Sequence, residues 1–369
     1  MQIGIPTETK DHEYRVALTP DGVAALVGAG HSVRVQSRAA TRIGFSDDDY
    51  RRAGAVIAAD AAAVYAAELI IKVKEPLPAE IPLLREGQII FGYLHLAAAP
   101  ALAAQLLARK IIGIAFETVT DASGTPLLAP MSAVAGRIAV QAGAQALTMS
   151  GGGNGTLLPG VAGVAPGRVT IIGAGMVGAN AAQIAVGMGA DVTLLDLSME
   201  RLRHYDALYQ GRLKTRHSNA GSIAECVRNA DLVIGAVLLP GKKAPQLITR
   251  HMVAGMRPGS VLVDVSIDQG GCAETSRPTS HSAPTYIEEG VVHYCVTNMP
   301  AACGRTATQA LAAVVLPYAL SLANHGMTAL LQDGGFRNGL NLCKGQITHP
   351  AVAEDLGLTC ADAQSCVSA

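Results

Sequence analysis

The run Gly173-Ala174-Gly175-Met176-Val177-Gly178 stands directly after the apolar stretch 169–172 and opens a helical pattern that begins at Met176. Three glycines at this spacing have separate tasks. One makes a tight turn, one lets the backbone approach a pyrophosphate, and one lets helix and strand pack closely. The helix N-terminus adds unpaired N–H groups and a partial positive charge suited to phosphate. In a chain with 40 glycines the bare spacing carries little weight, and its context carries more. Asp196 ends the next strand-like run, 18 residues after Gly178, where a carboxylate can accept from both hydroxyls of a ribose and repel a 2′-phosphate. The pattern predicts dinucleotide binding, with NAD preferred to NADP.

A second set of residues suits proton and carboxylate chemistry. His95 ends the run 89–96, Lys74 follows the apolar run 69–73, and Arg15 lies in Glu13-Tyr14-Arg15-Val16-Ala17. Taken singly, each is an ordinary surface charge or structural histidine. At the ends of successive strands of one βα domain they converge on one sheet edge. Arg and Lys there suit a carboxylate and a polarised carbonyl, and His suits proton transfer near neutral pH. Downstream, Val261-Leu262-Val263-Asp264 runs into a glycine loop with a second acid, Asp268, beyond the strand. Asn298-Met299-Pro300 follows a further strand end and could complete a nicotinamide pocket.

Parallel sheets must carry these groups. Residues 2–5, 32–36, 69–74, 89–96 and 111–119 read as strands, with helices from about Asp21, near 47–52 and from about Pro100. Gly28 and Gly30 stop the first helix. After a helical stretch 132–149 and the flexible Gly151-Gly152-Gly153-Asn154-Gly155, a second alternation begins. It places strands at 169–172, 191–196, 232–236, 260–265 and 291–297, with helices from Met176, from about Met199 and near 249–254. A long helix, 306–324, follows, and the tail from about Ala351 is weakly patterned.

Composition bounds the rest. The 369 residues suffice for two or three domains at about 150 residues each. Half are apolar and 15% charged, so the chain folds. Lys plus Arg number 28 against 29 Asp plus Glu, a balance that argues against a nucleic-acid or anionic membrane partner. With 9 Tyr, 4 Phe and no Trp, the core rests on aliphatic residues packed around glycine. The seven cysteines include no CxxC pair, so neither a disulfide framework nor a cysteine zinc site is encoded. The N-terminus has no signal-peptide pattern, and a reducing cytoplasm is the expected compartment.

Taken together, these segments resemble the alanine dehydrogenase family, from Gly4-Ile5-Pro6 to about Gly357. The similarity rests on Arg15-Val16-Ala17-Leu18-Thr19-Pro20, Lys72-Val73-Lys74-Glu75-Pro76, Tyr93-Leu94-His95-Leu96, Pro130-Met131-Ser132 with Val134-Ala135-Gly136-Arg137, and the glycine motif. It continues through Ala230-Asp231-Leu232-Val233-Ile234-Gly235-Ala236-Val237, Ile267-Asp268-Gln269-Gly270-Gly271-Cys272 and Asn298-Met299-Pro300. The resemblance implies NAD-dependent conversion of L-alanine to pyruvate and ammonia, and the reverse. It implies that Arg15 and Lys74 hold the substrate, that His95 is the acid/base, and that Asp268 assists at the reacting carbon. It implies cofactor contacts from Ser132, Gly173, Gly175, Met176, Val177, Gly178, Asp196, Arg201, Ser218, Val237, Leu238, Ile267, Arg277, Asn298 and Met299. In some members a divalent ion, Mg, sits near positions matching Glu117 and His325. The family is typically a homo-hexamer.

The expected fold class is α/β with two domains: a Rossmann NAD-binding domain, 129–304, inside a discontinuous Rossmann-like substrate domain, 1–128 and 305–369, with a cleft between them. Two departures stand out. Cys303-Gly304 replaces the family's usual Val-Pro, and Asn154 replaces a basic residue of the glycine loop. The competing readings are the nucleotide-binding part of a proton-translocating transhydrogenase, the more distant lysine-forming saccharopine dehydrogenase, and a catalytically silent NAD-binding protein.

Overall fold

The computed structural model describes residues 1–237 and 244–368. In chain order its strands are β1 (Gln2–Ile5), β2 (Ser32–Gln36), β3 (Val56–Ala58), β4 (Leu69–Ile71), β5 (Ile89–Gly92) and β6 (Ile112–Ala115). Next come β7 (Arg168–Ile172), β8 (Asp191–Asp196), β9 (Leu213–His217), β10 (Leu232–Gly235), β11 (Val261–Asp264), β12 (Thr285–Glu288) and β13 (Val291–Tyr294). The last are β14 (Leu340–Cys343) and β15 (Gln346–Ile347). The chain divides into two units, Met1–Met131 with Cys303–Ala369, and Ser132–Ala302.

In the first unit the sheet order is β15-β14-β6-β5-β4-β1-β2-β3. Strands β1 to β6 run parallel, and β14 and β15 add an antiparallel edge. All residues of β4 and β5 are buried, as expected of strands covered on both faces. Reading outward from β1, the order reverses between β1 and β4. In an open parallel sheet such a switch point leaves a crevice at the carboxyl ends of the strands, where ligands bind. The long helix Gly304–His325 belongs to this unit, with Leu311, Val315, Ala319 and Leu322 fully buried. Among the described residues, the helical run Met299–Gln332 is the one stretch long and apolar enough, by composition alone, to cross a bilayer.

The second unit repeats the plan. Its order is β12-β13-β11-β10-β7-β8-β9, parallel except for β12, with the switch point between β7 and β10. Its faces carry separate apolar clusters, one around Val169, Ile171, Ala181 and Leu232, the other around Ile172, Val227, Leu262 and Ile248.

Several elements differ from the sequence expectation. The strands expected at 89–96 and 111–119 end at Gly92 and Ala115, and both chains turn into 3-10 turns, Leu96–Ala98 and Phe116–Thr118. His95 takes φ 45°, ψ 41°, which no strand accommodates. The first helix ends at Gly28, and Gly30, at φ 88°, supplies the left-handed turn. The sequence reading omitted β3, β9, β12, β14 and β15, and the tail carries helices Pro350–Leu356 and Ala363–Ser368.

Candidate active site

In the first unit, the loops leaving β1, β4, β5 and β6 bring the predicted substrate residues to one edge of the sheet. Arg15, on the loop after β1, is 1% exposed. Its Nε and Nη2 donate to the two oxygens of Glu13 at 2.7 and 2.5 Å, a forked pair that fixes the guanidinium plane. Nη1 lies 3.0 Å from Met131 Sδ. Burial works against the charge of Arg15, but the Glu13 carboxylate outweighs it and holds the guanidinium above its ordinary range.

The loop after β4 carries two lysines with opposite surroundings. Lys72 is buried, and its Nζ donates to Glu8 Oε2 at 3.0 Å, Lys74 O at 3.0 Å and Glu75 O at 3.3 Å. Glu80 Oε2 lies 3.5 Å away and accepts from Leu77 N, while Tyr65 donates to its other oxygen at 2.6 Å. Burial disfavours the ammonium, yet Glu8 and Glu80 outweigh it and raise the pKa of Lys72. The second oxygen of Glu8 accepts from the backbone N–H groups of Val73 and Lys74. Lys72 therefore shapes the loop from beneath. Lys74 is half-buried, and its Nζ stands 6.0 Å from the centre of the Tyr93 ring.

His95 follows β5. Its backbone N–H donates to Glu117 Oε1 at 2.6 Å, and Leu94 N–H to Glu117 Oε2 at 3.3 Å. Glu117 Oε1 also lies 3.8 Å from His95 Nδ1. A left-handed conformation is costly for a non-glycine residue, and these two bonds hold it there. The imidazole stacks on Tyr93, centroids 5.8 Å apart and planes at 4°, with 43% of its side chain exposed. Tyr93 is buried, donates to Leu127 O at 2.5 Å, and feels the charge of Arg15. One tyrosine thus stacks on His95, lies within reach of Lys74 and feels the charge of Arg15.

In the second unit, Gly173 (φ 103°) turns the chain beneath the helix Met176–Gly187, and a Cβ there would meet Ala236 O at 2.6 Å. A Cβ on Gly178 would stand 1.7 Å from Gly173 O, so only glycine allows this packing. A Cβ on Gly175 meets nothing within 4 Å. The helix has no side-chain cap at Gly175, leaving its first N–H groups for a ligand. Asp196 closes β8 and braces the turn, accepting from Ala174 N at 2.6 Å and Ser198 N at 2.7 Å, with Arg201 Nη1 3.7 Å away. This arrangement fits a dinucleotide with a free ribose diol.

The remaining predicted cofactor residues have mixed settings. Met176 is exposed and Val177 buried in the first helical turn. Ser132 is half-buried, and Ser218 N donates to Asp196 O at 2.9 Å. Val237 exchanges two hydrogen bonds with the Ser266 hydroxyl. Ile267 and Met299 are core side chains at 3% and 2% exposure, so a ligand would reach them through backbone or not at all. The Arg277 guanidinium lies 3.8 Å over the Tyr286 ring. Leu238 lies outside the described residues. Asp268, in the 3-10 turn Val265–Gln269, exposes a carboxylate that accepts from Asn298 N at 3.2 and 3.4 Å. Beneath it Asp264 is wholly buried and accepts from Ser266 N, Cys272 N and Ser276 Oγ, fixing the loop that bears Asp268.

The expected divalent ion finds no support. Glu117 is engaged by two N–H groups and faces His95, His325 merely closes the helix Gly304–His325, and among the described residues no group of three or more His, Cys, Asp or Glu could hold a metal. The structure therefore lends the ion no support, and what it shows of Glu117 is its contact with the His95 backbone. Sequence reasoning also passed over Glu8, Glu13, Lys72, Tyr93 and Asp264 as supports of the site. The signal available for one of them was spacing: Glu13-x-Arg15 puts a carboxylate within reach of the guanidinium on one short segment.

Comparison with known proteins adds to this geometry. Residues 4–135 match the family model described as "Alanine dehydrogenase/PNT, N-terminal domain", and residues 139–350 match that of the C-terminal domain. The alanine dehydrogenase of Halomonas elongata is 56% identical over 100% of both chains. A solved L-alanine dehydrogenase superposes with a TM-score of 0.94 at 49% identity, covering 97% of this chain and 99% of that one. A transhydrogenase from Sinorhizobium meliloti superposes at 0.82 with 24% identity, covering 95% and 100%, a likeness of fold alone.

Proposed function

The chain belongs to the alanine dehydrogenase/PNT family, and from that premise we propose that it oxidatively deaminates L-alanine to pyruvate and ammonia with NAD, and runs the reverse reductive amination. The observation that carries the reading is the placing of Arg15, Lys74 and His95 on loops at the carboxyl edge of one sheet, with Lys74 and His95 both beside Tyr93.

The first unit takes the amino acid and the second the dinucleotide. Arg15, its plane set by Glu13, pairs with the substrate carboxylate. Lys74 polarises the oxygen that becomes the pyruvate carbonyl. His95, oriented by Glu117 and Tyr93, takes a proton from water as it adds to the iminium carbon and returns one to the departing amine. Asp268, held by the Asn298 N–H, is the second proton carrier. The glycine turn 173–178 and the N-terminus of the helix Met176–Gly187 hold the pyrophosphate, and Asp196 the ribose. NAD, when bound, accepts the hydride released from the α-carbon.

The test is to mix protein, NAD and single L-amino acids and follow NADH absorbance. Reduction with L-alanine supports the reading, and no reduction with any amino acid overturns it. A silent NAD-binding protein would bind cofactor without turnover. The transhydrogenase reading shares the Arg15 and Lys74 motifs and a likeness of fold at 24% identity, whereas the relatives sharing about half of this sequence are alanine dehydrogenases. A homo-hexamer in the cytoplasm belongs to the same proposal, and light scattering on the purified protein checks the subunit number.

A further inference from the structure

Two cysteines that the reaction does not use meet at the edge of the first unit. Cys343, the last residue of β14, is 1% exposed, and its thiol donates to the backbone carbonyl of Cys366 at 3.7 Å. Cys366 sits in the C-terminal helix Ala363–Ser368, half-buried, with its Sγ 3.6 Å from Gln346 Oε1 on β15. The terminal helix is thus seated over the β14–β15 hairpin with one sulfur from each side at the contact.

We propose that Cys343 and Cys366 are a redox-reactive pair that closes to a disulfide and clasps the C-terminal helix to the sheet edge. The oxidant is a low-molecular-weight disulfide such as oxidised glutathione. The half-exposed Cys366 thiolate attacks one glutathione sulfur, forming a mixed disulfide and releasing one glutathione thiolate. The Cys343 thiolate then attacks the Cys366 sulfur and releases the second glutathione. Two protein thiols lose their hydrogens, and one external disulfide is reduced to two thiols. The order follows from access, because exchange begins at the sulfur a solute can reach. Burial raises the Cys343 thiol to about 11, so the second step is the slower one near neutral pH. Such bonds in a reducing compartment are transient and responsive to the thiol pool rather than structural.

Cys360 supplies the control. It is exposed, and its backbone bridges to Ile347 on the other strand of the same hairpin, so it competes on accessibility but not on contact with Cys343. The experiment treats the purified full-length protein with oxidised glutathione, removes the reagent, and titrates thiols after denaturation at low pH, with peptide mapping by mass spectrometry. A Cys343–Cys366 peptide lighter by two hydrogens is expected, those two thiols being lost from the seven without a retained glutathione, while Cys360 carries at most a glutathione adduct. Dithiothreitol restores seven. The Cys360→Ser variant still loses two thiols, while Cys343→Ser and Cys366→Ser form no internal bridge. Seven thiols retained, a stable glutathione adduct without closure, or a bridge through Cys360 would each overturn the proposal. Mapping of the unaltered protein alone decides between these results, so the outcome does not depend on any variant folding.

Discussion

At the scale of single residues, the two lysines of Lys72-Val73-Lys74 separate structure from chemistry. Lys72 is a buried charge with two carboxylate neighbours, so Lys72→Met strands Glu8 and Glu80 and should cost about 3–5 kcal/mol, read by urea denaturation. Lys74→Met should leave stability within about 0.5 kcal/mol and lower kcat/KM for pyruvate. The pKa of Lys72 is raised, so its contribution is present in full below its ordinary value of 10.5 and is lost as pH rises through the folded value. Stability of the native protein should therefore decline above about pH 10.5 by a step that Lys72→Met lacks. The sequence alone singled out Lys74 by its place at a strand end and left Lys72 inside the strand. What it could not show was Glu8, 64 residues away, which decides which ammonium is buried. Glu117 entered the sequence reading only as a metal position implied by resemblance, and its work on the His95 backbone depends on a turn that apolar patterning reads as strand.

At the scale of elements, the strand–turn–helix at 169–187 was the most legible part of the chain, because turn chemistry, period and spacing agree there. The structure gives its glycines different duties that substitution can separate. Gly178→Ala places a methyl 1.7 Å from Gly173 O, so strand and helix must part, and both thermal stability and NAD binding should fall. Gly175 has φ −75° and open space around its Cβ, so Gly175→Ala should fold with an unchanged melting temperature and yet bind NAD at least about tenfold more weakly, because the methyl occupies the path of the pyrophosphate. Calorimetry of both variants, with thermal melts alongside, checks the pair of outcomes. Elements without such agreement were missed. β9 reads Leu-Lys-Thr-Arg-His and shows no apolar alternation, because it is an edge strand in which only Leu213 is buried and the other side chains are exposed or half-exposed. β3 has three residues and β15 two, too few for a period to register, and only pairing with β2 and β14 makes them strands.

At the scale of the whole molecule, both units use one plan, a parallel sheet whose order reverses beside its first strand, with the chemistry on the loops at the carboxyl ends. This explains why residues far apart in sequence, Arg15, Lys74 and His95, share one edge, and why the fold class could be read from alternation alone. The antiparallel margin of the first sheet was hidden because its strands come from the C-terminal piece, more than 200 residues after β6. Charge balance set no preference for a polyanion, and family membership supplies what composition leaves open. The central claim, that this chain oxidises L-alanine with NAD using His95 as proton carrier, is tested most directly by the initial rate of NADH formation from L-alanine at saturating NAD, in the native protein and in His95→Ala side by side. The account predicts turnover by the native protein and a loss of about 10²–10⁴-fold in the variant with NAD affinity unchanged. No NADH from the native protein, or equal rates from the two, would contradict it.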